Sequence, residues 1–591
     1  MCRSTFPTTT PMKTRMLTWP RRPARVLLAG LLLCLSCVAG ASDKALTLEI
    51  EGLDKPTAHN LRLHMGKLDP ALATQPARLE RILRADIDDA LRPFGWYEST
   101  FSVQTLKGKQ VLRVTPGPRI AWVAADIRVD PEARDLPAVI ELLKKTPFAP
   151  GRPLLHADYD ALREELLQAC RRAGFFKPKF RRAELRVDVA RREAQAVLDL
   201  AAGPRTRFGD ILLSGSQLDA ALLTGLAPFR KGDWFDAVQM ARFEQRLRDT
   251  GYFSELVVRV RRSDAEVADI EVLAADVTES RYDVGAGFST DSDLRLRFGR
   301  DSPLLNARGD ALSIDAELSR TRQSLESTWR IPHSDPLDDV FEVTTGLQGK
   351  NLEDTESLTL TSGVAHAMKV FGDWSYRYGI SAELERYTVG SETQKDVAYL
   401  LPATSISRTV LAQGLDPHTG TSLWTSLDFS ANAAGAPANF VRWRGGAGLL
   451  RSLNDDRTRI LARAEFGAIW TDAFNEIPAS LRFYAGGDRS IRGYDYQTLA
   501  PRDANGKLLG GRYLAVGSLE ISRRVRPNWR VAAFMDGGGA FTERNDDFYQ
   551  SAGLGLRWLS PIGQIRFDVA VPVHDRENSG FKLHISMGPP L

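Results

Sequence analysis

The sequence predicts two parts: small α+β repeats in the first half and an all-β barrel of about 16 membrane-crossing strands in the second. Three observations carry this expectation. An export signal opens the chain, a helix-to-glycine pattern recurs three times before residue 280, and residues 279–591 alternate apolar and polar positions without one long apolar run.

The length of 591 residues calls for several domains. Its 78 Lys and Arg against 74 Asp and Glu leave a formal +4, and all of that excess sits before Ser42, where six basic residues face no acid. Nothing in this balance points to nucleic acid. Arg21, Arg22 and Arg25 precede the apolar run Val26 to Val38, and Ala39-Gly40-Ala41 supplies a small-residue cleavage site. Residues 1–41 therefore read as a signal peptide. A retained anchor is disfavoured, because the run is shorter than the roughly 20 apolar residues a spanning helix needs. Cys34 and Cys37 lie within the signal, and neither follows Leu and two small residues, so lipid attachment is not expected. Cleavage leaves Cys170, which shares a helical face with Leu162 and Leu166 and reads as core. No metal, cofactor or redox chemistry is indicated.

The repeat endings are Gly95-Trp96-Tyr97, Gly174-Phe175-Phe176 and Gly251-Tyr252-Phe253, spaced 79 and 77 residues apart. In the third copy Met240, Phe243 and Leu247 share one helical face, Gly251 takes the position just past the helix, and Leu256 to Val260 reads as a strand. Gly117-Pro118-Arg119 and Gly203-Pro204-Arg205 each close a strand-like stretch and mark a junction. The aromatics after each glycine are most simply core residues. The repeats resemble POTRA domains, β-α-α-β-β modules of periplasmic transport proteins. On that resemblance residues 42–117, 118–203 and 204–278 would be three such modules, and 279–591 the barrel. Their strand edges would receive extended polypeptide by backbone pairing.

In the second half Ile565, Phe567, Val569 and Val571 alternate with Gln564, Arg566 and Asp568, and Leu312 to Leu318 and Phe581 to Met587 do the same. A soluble sandwich has this period too. The export signal decides for a membrane barrel, which must close on itself with its apolar band outward and polar groups toward a wet lumen. Gly445-Gly446-Ala447-Gly448 and Gly553-Leu554-Gly555 read as barrel strands where a small residue faces the lumen or an aromatic neighbour. No nucleophile elbow, zinc-protease helix or phosphate loop is present, so an enzyme is not expected.

Between strands near Trp470 and Tyr513 lies Leu481-Arg482-Phe483-Tyr484-Ala485-Gly486-Gly487-Asp488-Arg489-Ser490-Ile491-Arg492-Gly493-Tyr494, too long for a hairpin turn, and further on stands Phe534-Met535-Asp536-Gly537-Gly538. Taken singly, Arg492 and Asp536 would be an exposed loop charge and a solvated acid. Together the segments resemble the signature of the outer-membrane assembly superfamily. That resemblance implies an extracellular loop folded into the barrel, with Arg492, Gly493 and Tyr494 at its tip and Asp536 on the wall. Gly285-Ala286-Gly287-Phe288-Ser289-Thr290-Asp291, Leu304-Leu305-Asn306-Ala307-Arg308-Gly309 and the ending Gly588-Pro589-Pro590-Leu591 resemble the TamA family, the outer-membrane subunits of the translocation and assembly module.

The implied activity is insertion or translocation of β-barrel and autotransporter-type proteins through a lateral gate between the first and last strands. Gly285 and Gly287 in the first strand and Gly588, Pro589 and Pro590 after the last would weaken that seam. The family implies a TamB-like, inner-membrane-anchored periplasmic partner, with the first repeat as its natural dock. Unfolded outer-membrane proteins and outer-membrane lipids complete the expected contacts. Two other readings are a two-partner-type secretion transporter, which would have one dedicated substrate, and a passive channel, which would conduct steadily and need no periplasmic repeats.

Overall fold

A computed structural model describes residues 46–106, 109–262, 266–414, 416–453, 456–543, 546–561, 563–573 and 580–587, so the signal peptide, Cys34, Cys37, Gly588, Pro589 and Pro590 lie outside the described residues. The first module runs β1 (Leu48–Glu51), α1 (Lys55–Met65), α2 (Pro76–Leu91), β2 (Thr100–Leu106) and β3 (Lys109–Thr115). Its sheet has the order β1-β3-β2, with β1 parallel and β2 antiparallel to the central β3. Helix α1 begins where the Asp54 carboxylate accepts the Thr57 N–H at 3.0 Å. Helix α2 buries Leu79, Leu83 and Ile87, one face at helical spacing, against Leu112 and Val114 of β3.

The second module repeats the plan with β4 (Ala121–Val129), α3 (Pro131–Arg134), α4 (Pro137–Lys144), α5 (His156–Arg172), β5 (Lys179–Asp188) and β6 (Glu193–Ala201) in the order β4-β6-β5. Cys170 is buried on the same helix as Leu162 and Leu166, in agreement with the core reading. The third comprises β7 (Arg207–Ser214), α6 (Ala220–Leu226), α7 (Ala237–Asp249), β8 (Phe253–Arg262) and β9 (Val267–Asp276), ordered β7-β9-β8. The Asp236 carboxylate caps α7, Phe243 and Leu247 are buried one turn apart, and Gly251 reverses the chain at φ +69°.

The barrel is a 16-stranded antiparallel sheet whose strands are paired in sequence order from β10 to β25. They are β10 (Arg281–Ser289), β11 (Asp293–Ser302), β12 (Ala311–Leu318), β13 (Arg322–Asp335), β14 (Asp339–Leu352), β15 (Thr355–Phe371), β16 (Trp374–Val389) and β17 (Lys395–Leu411). There follow β18 (Thr419–Ser430), β19 (Phe440–Leu453), β20 (Thr458–Thr471), β21 (Tyr513–Arg526), β22 (Trp529–Phe541), β23 (Tyr549–Ser560), β24 (Gly563–Pro572) and β25 (Lys582–Met587). The burial pattern is inverted relative to a soluble protein. Leu554, Leu583 and Val569 point outward and are exposed, while Arg566, Asp568 and His584, their polar neighbours in the alternation, are buried inside.

The third module meets the barrel at the turns on the side where the chain enters. Arg246 of α7 bonds the carboxylates of Asp335 and Asp338, Leu337 joins the core of the module, and the Tyr252 hydroxyl donates to the Gly309 carbonyl at 2.8 Å. At the opposite end the lumen departs from the expected polar lining. The β20–β21 connection folds inward, and its Leu481, Phe483, Ile491, Tyr494, Leu499 and Leu508 form one apolar cluster with the wall residues Tyr399, Phe440, Ile469, Leu514 and Val516. Alternation within strands could not show this, because the covering residues come from a connection with no strand period of its own.

Candidate luminal latch and seam

The loop tip is shaped by glycine. Gly486, Gly487 and Gly493 have φ of +105°, +102° and +94°, which L side chains rarely adopt. The Ser490 hydroxyl accepts the Gly486 N–H at 3.1 Å and closes a compact turn that delivers Arg492 to the wall. The Arg492 side chain is 3% exposed.

The structure brings Arg492 and Asp536 together as a fork. Arg492 Nε and Nη2 donate to Asp536 Oδ2 and Oδ1 at 2.7 and 2.8 Å, and the Arg492 backbone N–H donates to the same carboxylate at 3.1 Å. Its Nη1 reaches Glu520 at 3.0 Å and Asp568 at 3.3 Å, and Nη2 reaches the Ser518 hydroxyl at 3.2 Å. Arg557 pairs with the same two acids, donating to Glu520 at 2.9 and 2.7 Å and lying 2.7 Å from Asp568. The guanidinium also lies 3.4 Å from the centre of the Phe534 ring. Gly553 and Gly555 make this packing possible, since an added Cβ would stand 2.3 Å from the Phe534 ring and 2.0 Å from the Asp568 carboxylate. Tyr494 is buried beside the tip, donates its hydroxyl to the Gln550 carbonyl at 3.3 Å, and meets Tyr549 edge-on.

Sequence reasoning named Arg492 and Asp536 but not Glu520, Asp568 or Arg557. The signal for these was present: each is a charge on the luminal half of an alternating strand. What the alternation lacked was the register that gathers them around one guanidinium.

On the far side of the tip runs the seam between β10 and β25. Among the described residues the backbone hydrogen bond that crosses it is Thr290 N–H to the Ile585 carbonyl at 3.4 Å, and no ladder joins the two strands. The Asp291 carboxylate accepts the Asp488 N–H of the loop at 2.7 Å, and His584 Nε2 accepts the Gly493 N–H at 2.9 Å. Burial pushes the Asp291 carboxyl up to about 8, and the Asp488 charge adds to the rise.

Gly285 and Gly287 lie in β10 opposite Arg297 and Arg295 of β11. Neither is required by crowding: a Cβ at Gly287 would meet nothing within 4 Å, and one at Gly285 only the Arg297 Cβ at 3.9 Å. What these glycines contribute is a weak strand. Gly287→Val is therefore expected to fold and to stiffen β10 by about 0.5–1 kcal/mol. Slower hydrogen exchange of the 281–289 amides checks this; unchanged or faster exchange would refute it.

Residues 305–589 match the family model of the Omp85 superfamily domain, and residues 47–116 that of the POTRA domain, TamA domain 1. The chain carries an Omp85 superfamily barrel behind POTRA modules. Residues 206–279 match a further POTRA model, described as a surface antigen variable number repeat. Among curated proteins the chain is similar to the outer membrane protein assembly factor BamA of Nitratidesulfovibrio vulgaris, with 25% identity over 386 residues, 60% of this chain and 48% of that one. The BamA of Neorickettsia risticii is 22% identical over 370 residues, 58% of this chain and 49% of the other. The chain thus spans about half the length of the curated relatives it matches. Among solved structures, BamA from Haemophilus ducreyi lacking POTRA domains 1–3 superposes with a TM-score of 0.66 at 15% identity, covering 79% of this chain and 98% of that one. The Omp85 chain is an outer-membrane protein, and its POTRA modules lie in the periplasm.

Proposed function

We propose that this protein inserts or translocates β-barrel and autotransporter-type proteins through a lateral gate at the β10–β25 seam, as a TamA-type assembly factor. The carrying observation is the seam itself. A sheet whose other neighbours are fully laddered has one junction held by a single described backbone bond, Thr290 to Ile585, beside an inward-folded loop. An unpaired strand edge templates an incoming strand. In this reading residues 42–117, 118–203 and 204–278 are the three POTRA modules and offer edges to unfolded outer-membrane substrates. Arg492, Gly493, Tyr494 and Asp536 are the latch of the luminal plug. A TamB-like periplasmic partner docks on the first module, whose match to the TamA-type domain supports that choice.

The test locks the gate. Cysteines introduced at Thr290 and Ile585, the pair that shares the seam bond, would be oxidised in the full chain. The locked barrel is expected to stay folded, judged by heat-modifiable migration, and to lose insertion of a reporter autotransporter, with recovery on reduction. Full activity of the oxidised form would reject the gate.

A further inference from the structure

Among the ties that hold the loop tip, four place it between the wall and the two strands of the seam. Two of them come from the last strand: His584 Nε2 accepts the Gly493 N–H at 2.9 Å, and Lys582 Nζ lies 2.7 Å from the Asp495 carboxylate. A third comes from the first hairpin, where Asp291 Oδ2 accepts the Asp488 N–H at 2.7 Å. The fourth is the Arg492 fork onto Asp536. Asp291 can approach because position 487 is glycine, where an added Cβ would stand 2.5 Å from the Asp291 carboxylate oxygen.

The geometry also fixes the imidazole. A backbone N–H only donates, so His584 Nε2 holds its lone pair toward Gly493 and the ring proton sits on Nδ1. That atom lies 3.8 Å from Asp291 Oδ1, and both side chains are buried. The first hairpin and the last strand therefore grip one short stretch of loop, at Asp488 and at Gly493, on either side of Arg492. Separating β10 from β25 would carry Asp291 and His584 apart, and the turn between their two attachment points could follow both only by breaking its own bonds, Ser490 N–H to the Gly487 carbonyl at 3.1 Å and Gly487 N–H to the Ile491 carbonyl at 3.3 Å. Either a grip or the turn has to let go.

We propose that Asp291 and His584 are positioning residues that fasten the plug to both strands of the seam, so that plug release and seam opening are one movement. This rests on the lateral-gate reading and adds its regulation: the plug is the bolt of the gate as well as the stopper of the lumen.

The experiment needs no substrate, so its failure is distinct from failure of the gate reading, which the locked seam tests. Spin labels are placed at Phe288→Cys and Leu583→Cys, outward-facing and exposed on the two seam strands, in a Cys170→Ala background of the full chain. Distances across the seam are measured in nanodiscs, and openings are counted in planar bilayers. His584→Ala is expected to raise the population of wide seam distances and the frequency of large openings together, each by about tenfold. His584→Gln, whose Oε1 can accept the Gly493 N–H, is expected to restore both toward the parent. Should His584→Ala not fold, His584→Asn, which ends short of Gly493, takes its place with the same expectation. Openings that rise with seam distances unchanged, a seam that widens with conductance unchanged, or a Gln variant as leaky as the Ala one would overturn the coupling.

Discussion

Arg492→Ala is expected to cost the folded barrel about 3–5 kcal/mol and to release the loop from the lumen. The reason is what it leaves behind. Asp536, Glu520 and Asp568 are 0%, 7% and 5% exposed at the side chain; with Arg492 gone, Arg557 still pairs with Glu520 and Asp568, while Asp536 loses its guanidinium and keeps the Ser518 hydroxyl at 2.7 Å. A buried carboxylate stripped of its partner keeps the cost of desolvation and loses the compensation. Arg492→Lys should fall between, since an ammonium keeps the charge but cannot make the two-pronged contact with Asp536. The measurements are the temperature at which heat-modifiable migration is lost and the tryptic sensitivity of residues 472–512. A variant with the parental midpoint and a protected loop would show that the network does not hold the plug.

Gly538→Ala is expected to be comparably severe for a different reason. Gly538 has a φ of +139°, and an added Cβ would stand 1.9 Å from the Ala515 carbonyl oxygen and 2.8 Å from the Val516 Cα. Both obstacles are backbone of the paired strand β21, so neither can turn aside as a side chain would. The backbone conformation and the displaced ladder together cost about 2–4 kcal/mol, and the latch would move with them, because Asp536 sits opposite Ser518 in the same ladder. Gly537→Ala is the control. Its Cβ would find Phe548 and Gln550 at 3.4–3.7 Å, ordinary contact, and a methyl there is tolerated or mildly stabilising by about 0.5 kcal/mol. Equal refolding yields for the two variants would disprove the argument.

The strand reading succeeded where alternation was strict. Leu312 to Leu318, Ile565 to Val571 and Phe581 to Met587 fall within β12, β24 and β25 apart from Phe581, which immediately precedes β25. The glycines at 95, 174 and 251 each take a positive φ at the end of a helical segment, as a C-terminal stop requires. The apolar filling of one end of the lumen was not legible, because Leu481, Ile491 and Leu508 lie in a connection whose hydrophobicity has no period. Nor could the roles of Asp291 and His584 be read. Each looked like one more polar residue in a turn or on a luminal face, and the chain separates them by nearly the whole barrel.

By itself the sequence determined the recurring helix-to-glycine pattern and the face each strand turns to lipid, whereas the pairing of a glycine-rich loop with one acid on the wall came from the resemblance to a known superfamily. The first two are local quantities, set by residue period, chain stiffness at glycine and the cost of exposing backbone to hydrocarbon. Only the tertiary structure decided which luminal charges converge. Antiparallel register and the closing of sixteen strands bring Glu520, Asp536, Asp568, His584 and Asp291 around a tip from another part of the chain. Electrostatic contact falls away over a few ångströms, so it depends on a geometry that no single stretch of residues encodes.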